Sequence, residues 1–251
     1  PERKRMLSEM GFISDQEGIV SRYSRELAQW NEHLEQSKQC ICEAVQHYNP
    51  KSVAILGSGW LFDVPIEFLS KHCEHVYLYD IVHPSQIKHK TSKFGNVTAI
   101  EADLTGNVIQ LVWEQRKQNK KQIDLNNIVC AGFNLGIDVD LVVSLNILNQ
   151  LDILICDYIS QEFNVSEEEL LPFRKRIQYS HIESLSKSNY CLITDFEEHI
   201  YSLNGEFEKS NSLVKIEIPT KPHVNYWKWK FDKSGAYYEN KEVVFNVVGT
   251  F

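Results

Sequence analysis

From Ile19 onward, apolar side chains fall at Ile19, Tyr23, Leu27, Trp30, Leu34, Ile41 and Val45. Steps of three, four or seven are the period of a helix with one buried stripe, so one or two amphipathic helices open the chain. Asn49-Pro50 ends them, because proline disfavours helical backbone in the residue before it. The pattern then changes to short apolar runs of strand length: Val53 to Leu56, Val76 to Tyr79, Val97 to Glu101, Asp140 to Leu145 and Asn189 to Thr194. Helical segments are expected between them. Asp63 to Cys73 carries Val64, Phe68 and Leu69 on one face with Pro65 in its first turn, Ile109 to Gln118 is a second, and Ser166 to Glu169 has capping-box spacing that opens a third.

Two later runs read differently. Leu213 to Ile218 alternates apolar and charged residues, as suits a sheet edge with one wet face, and Val243 to Val248 makes a last strand. The connection 221–242 is too polar and aromatic for a crossover helix, so these two runs are expected to pair as an antiparallel hairpin. The prediction is an α/β chain with a seven-stranded, mostly parallel sheet. Residues 1–48 are expected to form a helical cap, 49–251 the main domain, and about 157–187 a helical insertion.

A length of 251 residues with 43% hydrophobic and 24% charged side chains is enough for a full core. The formal charge of −8 opposes a polyanionic partner, since nucleic-acid binders carry a basic face; the dense basic run Arg116, Lys117, Lys120, Lys121 reads as a solvated helix end. Cysteines 40, 42, 73, 130, 156 and 191 have neither metal-clip spacing nor the density of a disulfide scaffold, so reduced thiols are expected. The longest apolar stretch, Val139 to Cys156, is broken by Asp140, Asn146, Asn149 and Asp152, and no basic leader precedes a cleavage-like site. A cytoplasmic protein with no membrane contact is the expectation. The chain opens at Pro1 rather than at a methionine, so a preceding segment that was removed or left out is the expectation.

Candidate chemistry sits at the strand ends, where open α/β sheets hold ligands. Gly57-Ser58-Gly59 follows the first strand, Asp80-Ile81 the second, Asp103-Leu104 the third, Ser144 to Asn146 the fourth and Asp195 the fifth. The glycines allow a tight turn and close backbone approach, and the two oxygens of Asp80 can accept from ribose hydroxyls. Asp63 reads equally as a helix cap or a ligand contact, and Asp103 and Asp195 also suit ordinary strand ends. Asn146 is an amide in an apolar run and needs partners if buried. His83, His181 and His199 have no spacing that indicates a metal or a proton relay, and no metal is expected.

These segments resemble the motifs of class I S-adenosylmethionine-dependent methyltransferases over roughly residues 50–251. Val53 to Gly59 looks like the first motif, Leu78-Tyr79-Asp80 like the ribose-binding strand end, Glu101 to Leu104 like the adenine-side motif, and Asp140 to Asn146 like the fourth-strand segment. The resemblance implies a three-layer Rossmann-like fold, S-adenosylmethionine as cofactor and methyl transfer as activity. It also implies roles: Gly57 to Gly59 bordering the methionine moiety, Asp80 on the ribose with Ile81 and Asp63 nearby, Asp103 and Leu104 flanking the adenine, Ser144 to Asn146 beneath the sulfonium, and Arg22-Tyr23 reaching the cofactor carboxylate. Leu61 stands where the family has a third small residue, and Leu56 where an acidic residue is common. Asn146 is the candidate for orienting an acceptor, expected to be a small molecule, with Tyr158, His181, Tyr226 and Trp227 as candidates for its pocket; the aromatic cluster 226–229 also reads as a packing lid. A nicotinamide-dependent oxidoreductase and a non-catalytic cofactor-binding module are the alternatives, the former weakened by Phe62 at the third-glycine position.

Overall fold

The computed structural model describes residues 2–118 and 121–251; Pro1 and Lys120 of the basic run lie outside them. Two helices come first, α1 (Glu2–Glu9) and α2 (Phe12–Tyr48), with Gly11 in left-handed backbone between them and non-helical dihedrals inside α2 at Glu26. Then follow β1 (Ser52–Leu56), α3 (Ile66–His72), β2 (His75–Asp80), α4 (Ser85–Thr91), β3 (Val97–Glu101), α5 (Val108–Lys117) and β4 (Leu141–Leu145). The remainder is α6 (Ile153–Glu162), α7 (Glu167–Leu185), β5 (Tyr190–Ser202), β6 (Phe207–Ser212), β7 (Val224–Asp232) and β8 (Lys241–Thr250). No helix among the described residues is long and apolar enough to cross a membrane.

The sheet runs β3-β2-β1-β4-β5-β8-β7, with β6 paired to the far half of β5. The first five strands are parallel, and β8, β7 and β6 are antiparallel to their neighbours. This is a Rossmann-like, mostly parallel sheet with an antiparallel edge, with eight strands where seven were expected. Strand order reverses between β1 and β4, so a crevice opens beyond their carboxyl ends. Alternation along the strands divides the core. Val53, Ile55, Val143 and Leu145 pack towards α2, α3 and β7, whereas Ala54, Leu56 and Val142 pack towards α1, α5, α6 and α7.

Four expectations need correction. The third-layer helix after β1 starts at Ile66, not Asp63, and its cap position is Pro65. The fifth strand extends to Ser202, well past Thr194. Residues 213–218 are not a strand: the Lys215 amide donates to Gln178 Oε1 (2.7 Å), Gln178 Nε2 donates back to Leu213 O (3.3 Å), and Val214, Ile216 and Ile218 pack on the α7 side. Their alternation serves packing against a helix. The antiparallel hairpin therefore pairs β8 with β7, drawn from the aromatic connection. The capping box at Ser166 is present.

Candidate functional site

Beyond the ends of β1 to β5 lies a cavity of about 470 Å³, within the roughly 300–1,000 Å³ usual for small-molecule sites. Its floor begins at the β1 turn. Gly57 has φ +83°, and a Cβ there would lie 2.8 Å from Leu145 O, so the turn requires glycine. The Gly57 and Ser58 amides donate to Tyr79 O, and the Gly59 amide donates to Asp80 Oδ2 at 2.8 Å. Asp80 Oδ1 accepts from the Ile81 amide (2.7 Å) and from Gln16 Nε2 (3.1 Å) of α2. Burial raises this carboxyl above its ordinary range while the three donors oppose that. At the end of β3, Asp103 Oδ1 accepts from the amide and hydroxyl of Thr105.

The roof is one face of α2. Phe12, Gln16, Ile19, Trp30, His33 and Leu34 line the cavity at helical spacing. Trp60 Nε1 donates to Gln16 O (2.8 Å), Trp30 Nε1 donates to Phe231 O (2.8 Å), and Tyr23 stacks on Phe62 (3.8 Å between centroids), so the roof is tied to both the β1 loop and β7. Arg22 lines the cavity, its guanidinium 5.1 Å from the Phe231 ring centre; Tyr23 does not.

The far end is polar and aromatic. Asn146, in left-handed backbone (φ +49°) directly after β4, places Nδ2 3.4 Å from both Asp63 Oδ2 and His33 Nε2. Burial depresses His33 to about 3, so the ring is neutral, and Trp227 Nε1 donates to its Nδ1 (3.0 Å). Burial pushes Asp63 up to about 6 and Asp195 up to about 7. Asp195 Oδ2 accepts from Asn149 Nδ2 at 3.4 Å. A register shift between Asp195 and Glu197 resets the alternation of β5, so that Asp195 and Glu198, three positions apart, both line the cavity.

Gly57, Ser58, Gly59, Asp63, Asp80, Ile81, Asp103, Leu104, Asn146 and Asp195 thus meet at one cavity. Five others do not. Ser144 alternates to the opposite sheet face, where its hydroxyl lies 2.8 Å from Nε2 of buried, neutral His181. Tyr158 is held on α6 by Arg116, Tyr226 points outward from β7, and Trp227 is buried with its Nε1 bonded to His33, whose ring stacks on Trp229. Nothing from residues 157–187 lines the cavity. His83 is buried with Nε2 against the carbonyls of Leu78 and Ile100. Gln16, His33 and Glu198 escaped the sequence reading, while Trp229 belongs to the aromatic cluster 226–229 read there as a lid or pocket wall; for the first two, continuing the stripe Ile19-Tyr23-Trp30 in both directions would have found the face.

Whether a ligand fits can be asked of the polar atoms. Ser58 Oγ, Asp103 Oδ2, Asn146 Oδ1, Asp195 Oδ1, Gln16 Oε1 and Trp229 Nε1 are buried without a partner, and all six residues line the cavity. Unpaired buried polar atoms are costly, and six around one void describe a site shaped for hydrogen bonds with a guest. That guest is unlike a dinucleotide. A pyrophosphate sits on a helix N-terminus straight after the glycine turn, whereas α3 begins nine residues past Gly57 and the cavity presents Asp63, Asp80 and Asp103.

No family model and no curated protein sequence matches the chain. Among solved structures it is similar to the N-methyltransferase NodS from Bradyrhizobium japonicum in complex with S-adenosylhomocysteine, at 9% identity over 86% of each chain with a TM-score of 0.37. It is also similar to the Burkholderia thailandensis 1,6-didemethyltoxoflavin N1-methyltransferase, at 13% identity over 94% of this chain and 87% of that one, TM-score 0.38. A putative RNA methyltransferase from Pyrococcus horikoshii aligns at 11% identity over 86% and 82%, TM-score 0.34. At these identities and scores the likeness carries nothing about acceptor or activity.

Proposed function

We propose that this chain is an S-adenosylmethionine-dependent methyltransferase acting on a small molecule. The observation that carries the reading is the junction of the Gly57–Gly59 turn with the Asp80 carboxylate under α2, ringed by unpartnered polar atoms. A carboxylate has about four acceptor positions, and three donors occupy Asp80. One ribose hydroxyl fits the fourth, and Gln16 Oε1 supplies an acceptor for the other. Asp103 Oδ2 is free to accept from an adenine amine, with Leu104 and Ile81 as apolar walls. Asn146 at the end of β4 faces the far compartment and orients the acceptor there.

When bound, the cofactor supplies an electrophilic methyl group on a sulfonium. The protein's part is to align and to exclude water, which can supply roughly 7–11 kcal/mol. Residues 1–48 act as the cap that does so, since α2 is the roof of the cavity. Production of S-adenosylhomocysteine from S-adenosylmethionine across a panel of small amines, alcohols and carboxylic acids tests the reading. Acceptor-dependent product is expected, and a chain that binds the cofactor without turnover on any class would be a binding module instead.

A further inference from the structure

Three cavity residues lie in one row across three strands: Glu198 on β5 is in register with Phe245 on β8, and Phe245 with Trp229 on β7. Asp195 stands beside this row because of the β5 bulge, and Asp63 faces the same compartment. The compartment is therefore a wall of aromatic rings with three carboxyl groups. Arg22 is the one Lys or Arg among the described residues lining the cavity, and it is already engaged, lying over the Phe231 and Tyr237 rings. Glu198 accepts from Asn211 Nδ2 and the Tyr238 hydroxyl, which fixes its position. Asp195, 1% exposed, keeps Oδ1 unpartnered.

We infer that this compartment is an acceptor subsite for a small, flat, protonatable amine or nitrogen heterocycle. The inference rests on the methyltransferase reading for its meaning as an acceptor site, though not for the binding itself. Aromatic faces carry negative quadrupole density that attracts a cation, and an unpartnered carboxylate oxygen requires a donor. An ammonium or a ring N–H supplies both at once. A carboxylate guest would instead crowd the carboxyl groups of Asp63, Asp195 and Glu198 where water screens little, against the single unpartnered donor Trp229 Nε1 among the described lining residues.

The test is saturation-transfer NMR on the full chain with 2-phenylethylamine, 2-phenylethanol and 3-phenylpropanoate, and with the same triad built on indole. It is run with and without saturating S-adenosylhomocysteine, whose own affinity is measured separately by calorimetry. The amines are expected to bind about tenfold or more tightly than their alcohol and acid counterparts, which corresponds to about 1.4 kcal/mol. Asp195→Asn and, independently, Glu198→Gln should remove that preference while leaving the affinity for S-adenosylhomocysteine unchanged. Equal or better binding of the alcohols or acids, no amine binding, or a preference that survives both substitutions overturns the inference. Loss of S-adenosylhomocysteine binding alone, with the amine preference intact, would count against the cofactor reading instead.

Discussion

Asp80, Gly57 and Gly59 are the residues whose chemistry is most constrained. At Gly57 an added Cβ meets Leu145 O at 2.8 Å and Ile147 Cβ at 3.1 Å, whereas at Gly59 the nearest atom is Asp80 Oδ2 at 3.9 Å. Both have positive φ, so Gly59→Ala carries only backbone strain, on the order of 1 kcal/mol, and Gly57→Ala adds a clash for a total on the order of 2 kcal/mol. Thermal unfolding should show Gly57→Ala losing roughly 4–8 °C and Gly59→Ala about half of that; equal losses would mean that the turn relaxes freely. The five strand-end signals were legible because each is borne by a few adjacent residues: a glycine pair, then Asp80, Asp103, Asn146 and Asp195. Ser144 was misassigned for a reason equally local. Its neighbours Val143 and Leu145 face α2, and one step of strand alternation sends Ser144 to α7.

Helix α2 and the pair β7–β8 show where element-level reading stops. The helical period of the first segment was plain, but a stripe shows only that a face is buried, not that it roofs a cavity with Gln16, Trp30 and His33. Likewise, Leu213 to Ile218 alternates as an edge strand would, and only the long-range contact with Gln178 decides that it packs on a helix. The β5 bulge that brings Glu198 round to Asp195 leaves no mark in composition. Because Trp60 Nε1 ties Gln16 O to the β1 loop, Trp60→Phe should loosen the first half of α2 with little change in global stability. Hydrogen exchange reads this directly: faster exchange across residues 12–25, restored by S-adenosylhomocysteine, is expected. Unchanged protection would show that the roof is held elsewhere.

Across the whole molecule, buried ionisable groups set two opposed pH slopes. Asp195 is raised from 3.8 to about 7, so below pH 4 it is protonated in both states, and as pH rises to 7 the unfolded chain ionises first and stability falls. His33 and His181, depressed from 6.5 to about 3, act oppositely: stability is lost as pH falls from 6.5 towards 3. A difference measurement separates them. In urea unfolding, the stability of Asp195→Asn relative to the parent should rise between pH 4 and 7, by on the order of a few kcal/mol, and level off above. Asn149 and the carboxyl of Asp63 face the same group, so Asp63→Asn should narrow the window by lowering the Asp195 value. A flat difference would show that Asp195 ionises freely in the folded state.

The central claim is that the 57–59 turn, Asp80 and Gln16 together grip an adenosyl group, and titration calorimetry with S-adenosylhomocysteine tests it most directly. The account predicts one molecule bound per chain, with Asp80→Ala weakening it by roughly ten- to a hundredfold, as loss of a hydrogen bond to a charged group implies, and Gln16→Ala weakening it less. Saturable binding that ignores both substitutions, or no binding to the folded parent protein, would contradict it.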